Sequence, residues 1–266
     1  MYRATILGSF LLSCFALLSI SSSLDAASYQ KTDGTIVDPL QSRLPGVGDH
    51  PFDGNDLRPS ADLRGADLSM AALEQADLAG ADMSGAILSD SDLIDADLSG
   101  TVLLGAAMDT INMEGVVARD ANFSGARFVG SYGARGDFSG ADFTGADMST
   151  FDLTGADLLG AVLIHAIADV VEFHNTDLRN ACFTCANITL SNFNGANVGG
   201  TDFVNAYYHN DFAPIGLFNP EGKGVLSLTW PDVPEACRSA AVPEPATILL
   251  AFFGLALLRR RRRRGD

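Results

Sequence analysis

The 266-residue chain predicts an all-β repeat solenoid. Three observations carry that expectation: a large apolar side chain every five residues, a small residue two places before each, and polar residues between them. The large positions run from Leu63, Leu68, Leu73 and Leu78 through Phe123, Phe128, Phe138 and Phe143 to Phe203 and Tyr208. Of the 30 positions in that register 27 hold a large apolar or aromatic residue, and 19 of the positions two before them are Ala. A period of five matches neither the 3.6 of an α-helix nor the 2.0 of an open strand. It matches a chain that turns a corner every five residues and points two side chains of each unit inward. The other three face water, which accounts for the Asp, Asn, Ser, Thr and Arg found there. Gly follows two after many large positions, as at Gly65, Gly80 and Gly125, where a repeated corner calls for a positive φ.

The units Ala66-Asp67-Leu68-Ser69, Ala96-Asp97-Leu98-Ser99 and Ala156-Asp157-Leu158-Leu159 resemble the A(D/N)LXX unit of the pentapeptide-repeat family. The resemblance covers residues 61–208 and implies a right-handed quadrilateral β-helix with four units per coil. Thirty units then make about seven coils, a rod about 35 Å long at an inter-strand spacing near 4.8 Å. Each buried Leu or Phe contributes roughly 1.5–3 kcal/mol, and stability sums over neighbouring coils. Three large positions are underfilled: Ala118, Gly133 and Ala168. Val116 and Val171 restore volume beside two of them, whereas Gly133 is expected to be a weak spot or bend. Residues 27–60, with Pro39, Pro45, Pro51 and Pro59, break the register at Leu57 and are expected to form an irregular cap or linker. Residues 209–241 are expected to hold a C-terminal cap, one strand within Val225 to Trp230, and a linker.

Both ends read as targeting segments. Arg3, the apolar run Ile6 to Ile20 and the small-residue exit before Ala27 make residues 1–26 a secretory signal peptide, cleaved after Ala26. At the other end Val242, Pro243, Glu244 and Pro245 precede the apolar run Ala246 to Leu258 and then Arg259, Arg260, Arg261, Arg262, Arg263 and Arg264. This order resembles the PEP-CTERM sorting signal over residues 242–266, with a transmembrane helix at 246–258 and an Arg-rich tail. The resemblance implies the secretion machinery and an exosortase-type enzyme as partners, membrane attachment through the helix, and an envelope built from exopolysaccharide. Independently, six arginines resist crossing a bilayer and so hold the tail's end in the cytoplasm. The apolar run is short, about 20 Å as a helix against a hydrocarbon core of about 30 Å.

Charge excludes one class of partner. Setting aside Arg3, Asp25, the six terminal arginines and Asp266, the 17 basic and 33 acidic groups of the chain become 10 and 31, a net −21 over residues 27–258. Such a body repels nucleic acid and anionic headgroups, so no nucleic-acid partner is expected. Stepping by 20 along one side gives Asp77, Asp97, Val117, Asp137, Asp157, Asp177 and Asn197. With four units per coil these stack about 5 Å apart. The five aspartates are a candidate weak Ca²⁺ ladder, since calcium prefers such oxygens. The competing and favoured reading is that Asp suits the corner and the solvent. No other cofactor or metal is expected.

Cys182 and Cys185 have C-x-x-C spacing but no second pair for zinc. Cys14 leaves with the signal peptide, so a Cys182–Cys185 or a Cys185–Cys237 disulfide is expected, with one thiol left over. The four histidines do not converge: His165 and His174 belong to opposite sides of a four-sided coil, and His50 and His209 lie near its two ends. The sequence therefore reads as an exported, non-catalytic structural or interaction protein. Two alternatives differ in class. An acidic rod of this family that mimics DNA and binds a topoisomerase conflicts with the signal peptide, and an enzyme acting on matrix polysaccharide lacks a catalytic cluster.

Overall fold

The computed structural model describes residues 28–37, 40–42, 57–209 and 212–217, together with the backbone of 226–228. Its rod is all-β and follows from the five-residue period. The residue before each large position pairs in parallel with the residue 20 further on, as in Asp62 with Asp82, Asp67 with Ile87, Ala72 with Asp92 and Asp77 with Asp97. Twenty residues therefore make one coil of four sides. We number these faces one to four by the units centred on Leu63, Leu68, Leu73 and Leu78. Backbone groups on each side bond to the coils above and below: Leu63 N–H donates to Asp82 C=O at 2.7 Å, and Asp82 N–H to Ala61 C=O at 2.9 Å.

Each corner is a four-residue turn closed within the unit, as where Ala66 N–H donates to Leu63 C=O at 3.1 Å. Its third residue has positive φ at every corner from Ser60 to Asn205, 14 times Gly and 16 times another residue. That is the type II pattern, which glycine adopts without strain. Val170 holds it at φ 58 against the preference of a β-branched side chain.

The large positions fill the axis. Phe123 stacks on Phe143 at 5.0 Å between ring centroids, Phe173 on Phe193 at 4.9 Å and Phe183 on Phe203 at 5.1 Å. Where Ser or Thr replaces Ala at the small position, its hydroxyl donates to the carbonyl of a large-position residue a coil below. Thr101 reaches Leu78 at 3.0 Å, Ser131 reaches Met108 at 2.8 Å and Thr176 reaches Leu153 at 2.9 Å. A buried hydroxyl paired in this way avoids the desolvation cost of an orphan.

Gly133 is not the expected weak spot. A Cβ there would meet Phe151 Cε2 at 2.9 Å and Phe138 Cζ at 3.1 Å. Phe151 occupies a small position on the same face one coil on, and its ring is buried and stacked on Phe128 at 5.0 Å with 6° between planes. Large and small have exchanged places between two successive coils, so the axis stays filled. Ala118 and Ala168 are likewise buried, beside buried Val116 and Val171.

The described part of the N-terminal segment closes the first coil. Strands β1 (Tyr29–Gln30) and β2 (Ile36–Val37) form an antiparallel hairpin, and β3 (Gln41–Ser42) pairs antiparallel with β4 (Ala71–Ala72). Asp77 N–H donates to Gln30 C=O at 2.7 Å and Thr32 N–H to Gln75 C=O at 2.8 Å. These are edge groups that no lower coil would satisfy. At the far end β5 (Tyr207–His209) pairs in parallel with β6 (Leu226–Leu228), the strand expected within Val225 to Trp230. Ile215 bridges Asn192, so residues 212–217 continue the coil above the third face.

Candidate functional site: an aspartate ladder and a covered face

The fourth face brings the predicted carboxylates into one column. Asp77 pairs with Asp97, Asp97 with Val117, Val117 with Asp137, Asp137 with Asp157, Asp157 with Asp177 and Asp177 with Asn197. Each aspartate turns one oxygen back onto its own corner. Oδ1 accepts the N–H two residues on: Asp77 from Ala79 at 3.4 Å, Asp97 from Ser99 at 2.8 Å, Asp137 from Ser139 at 3.1 Å, Asp157 from Leu159 at 2.8 Å and Asp177 from Arg179 at 3.1 Å. This Asx turn is the local reason for Asp or Asn at this position throughout the rod.

Two rungs carry an arginine. Arg119 lies 2.6 Å from Asp137 Oδ2, and Arg179 lies 2.6 Å from Asp177 Oδ2. Burial pushes the Asp137 carboxyl up, but hydrogen bonds from Ser139 and Arg119 outweigh it and leave the group below the usual carboxylate range. The Arg179 guanidinium holds Asp177 down in the same way. Both ion pairs are solvent-facing and contribute little stability. Among the described residues no group of three or more His, Cys, Asp or Glu side chains is placed to hold a metal ion. The ladder is an anionic stripe with one rung per coil, suited to cations or basic groups by charge alone.

The second face departs from the sequence reading. Outward and corner side chains along the rod are half-buried or exposed, with six exceptions between residues 61 and 209: Ser149, Ile167, Asp169, Cys185, Asn187 and Tyr207. All six lie on the second face or on the corner leading into it, within its last four coils. The three buried side-chain atoms without a hydrogen-bond partner, His165 Nδ1, Asp169 Oδ1 and His209 Nδ1, lie there too. Asp169 is only 5 % exposed, and burial followed by the nearby Asp147 charge pushes its carboxyl up to about 7. Burial and then Asp169 push the Tyr207 hydroxyl up to about 12. Lower on the same face Ile87 is 42 % exposed, so the covering does not run the length of the rod.

The expected Cys182–Cys185 pairing does not form: Cys182 is a free thiol and Cys185 is disulfide-bonded. The Cys182 sulfur lies instead 3.2 Å from Thr184 Oγ1. His165 and His174 fall beside the first and third faces, which are opposite. Signal-peptide residues 1–26, Cys237, the motif Val242 to Pro245, the apolar run 246–258 and Arg259 to Arg264 lie outside the described residues. Among the described residues no helix is long and apolar enough to cross a membrane.

Comparison with known proteins bears on both halves of the chain. The family model described as pentapeptide repeats matches in eight copies over residues 60–93, 91–132, 111–149 and 172–207. The model described as the PEP-CTERM protein-sorting motif matches residues 241–264. No curated protein matches the chain significantly. Among solved structures, a trypsin-treated form of QnrB1, a plasmid-mediated fluoroquinolone resistance protein, is 22% identical and covers 53% of this chain and 77% of its own at a TM-score of 0.41. HetL, a pentapeptide repeat protein involved in heterocyst differentiation regulation from the cyanobacterium Nostoc sp. strain PCC 7120, is 24% identical. It covers 67% of this chain and 90% of its own at a TM-score of 0.35. Rfr23 from the cyanobacterium Cyanothece 51142 is 26% identical over 38% of this chain and 58% of its own, at a TM-score of 0.23.

Proposed function

Because this chain is a pentapeptide-repeat protein carrying a PEP-CTERM sorting motif, we propose that it is exported and serves as a non-catalytic structural or interaction element of a bacterial envelope. The observation that carries the reading is the order of parts: an acidic repeat rod, then a sorting motif matched at residues 241–264. The tail engages the membrane through 246–258, and an exosortase-type enzyme reads Val242 to Pro245. The rod faces an exterior rich in exopolysaccharide. Its outer surface supports a contact role, because polar side chains repeat in columns one residue wide, spread over a length of rod rather than gathered at a centre. With its carboxylates ionised, such a surface suits basic or cation-bridged partners.

Fractionation of a strain carrying Pro243→Ala, Glu244→Ala and Pro245→Ala tests the sorting step. A motif read by an enzyme differs from a charge that sets topology. The variant is expected to stay membrane-bound at full tail length, while the native protein is processed. Identical processing of both forms would remove the enzyme from the account.

A further inference from the structure

We infer that residues 229–241 lie as a strap across the upper second face, locked there by a disulfide between Cys185 and Cys237. The six buried outward side chains demand a cover, and they cluster around a cysteine that is itself disulfide-bonded. The chain holds four cysteines, of which Cys182 is free, so the partner is Cys14 or Cys237.

Geometry selects Cys237. Leu228 pairs with His209 and so stands on the second face, two coil spacings, or about 10 Å, above the level of Cys185. The nine residues from Leu228 to Cys237 reach about 30 Å when extended, ample for the descent and the width of one face. A route from Cys14 starts at the opposite end of the rod, where Ser28 accepts from Leu57 N–H. It would have to run along the lower coils, where Ile87 is open to solvent.

The strap's composition fits the face. Pro231 and Pro234 favour an extended path. Trp230, Val233 and Ala236 supply apolar cover for Ile167 and Tyr207, and Arg238 supplies the charge that Asp147 and Asp169 lack. Backbone groups of an extended strap can also reach the unpartnered atoms of His165, Asp169 and His209. Bond formation removes two protons and two electrons from the two thiols, which a disulfide-donating oxidoreductase outside the cytoplasm accepts. That timing rests on the exported reading, whereas the strap itself does not. The sorting motif begins five residues beyond Cys237, so the tail leaves from the rod's flank rather than from its end.

Two measurements on the full chain test this. After blocking free thiols and digesting with trypsin and chymotrypsin without reductant, the Cys237 peptide is expected to be joined to that of Cys185, with Cys182 alkylated. A blocked Cys237, or a Cys14–Cys185 peptide, overturns the strap. In hydroxyl-radical footprinting, Tyr207 is expected to be protected relative to Tyr132, which is 54 % exposed. Cys237→Ser should raise Tyr207 oxidation several-fold and leave Tyr132 unchanged, which shows the rod intact. Equal protection of Tyr207 in both proteins means that the rod buries it unaided and overturns the proposal. Neither readout depends on where the cell places the protein, so failure of the export reading leaves a distinct signature.

Discussion

Gly133 and Phe151 form an exchanged pair whose energetics follow from the distances. The ring of Phe151 stands 2.9 Å from where a Gly133 Cβ would be and stacks on Phe128 at 5.0 Å. Phe151→Ala leaves a void with no side chain at position 133 to relax into it. The cost is about 3–5 kcal/mol for the cavity, with about 0.5–1.5 kcal/mol of aromatic pairing included toward the upper end. Gly133→Leu alone drives a side chain into two rings and costs at least about 1–3 kcal/mol. The double variant restores the small–large order of its neighbours and should fall within about 2 kcal/mol of the native protein, a coupling well above what independent sites show. Urea denaturation followed by circular dichroism measures all four proteins. Hydrogen exchange at the Gly133 amide, which donates to Asp152 C=O at 2.8 Å, reports whether unfolding is local to those coils. If the two single costs simply add in the double variant, the exchange of positions is not what keeps the axis filled.

Two further predictions concern charge. The folded Asp169 carboxyl holds its proton to about 7 against an ordinary value of 3.8. Its contribution is therefore fully present below the ordinary value and is lost as pH rises through the folded one. At roughly 1.4 kcal/mol per unit this reaches at most about 4 kcal/mol, so Asp169→Asn should flatten the fall in melting temperature between those two values. An unchanged slope places the titration elsewhere. On the fourth face, one rung per coil with Oδ1 held by the corner means that calcium should raise the melting temperature no more than matched ionic strength does. A larger rise, lost when Asp137, Asp157 and Asp177 become Asn, would instead establish the cation ladder.

Period, coil and ladder were legible in the sequence because each depends on a local rule repeated without a slip. A residue and the one 20 places on pair wherever four corners close a coil, so Asp137, Asp157 and Asp177 could be aligned before any coordinates. Gly133 was misread because its compensation comes from the next coil. The signal was present in Phe151, a bulky residue at a small position on the same face, and it becomes visible only when the units are laid out four to a row. The aspartates were placed correctly, but their bond to the backbone two residues on was not anticipated. That bond makes the corner, rather than a ligand, the local reason for the residue. The covered second face could not be read at all. Ser149 and Asn187 look like any solvent-facing position, and their burial depends on contacts outside the repeat.

The account stands on an exported rod held by a tail whose arginines remain inside. Protease accessibility of two tags in intact cells, one before Pro243 and one after Asp266, measures this directly. The first tag is expected to be cut by external protease and the second protected. Replacing Arg259 to Arg264 by Ser should remove the stop and let the protein slip through the bilayer. Protection of both tags in the native protein, with the rod soluble in the cytoplasm, contradicts export and returns the acidic rod to the class that mimics nucleic acid.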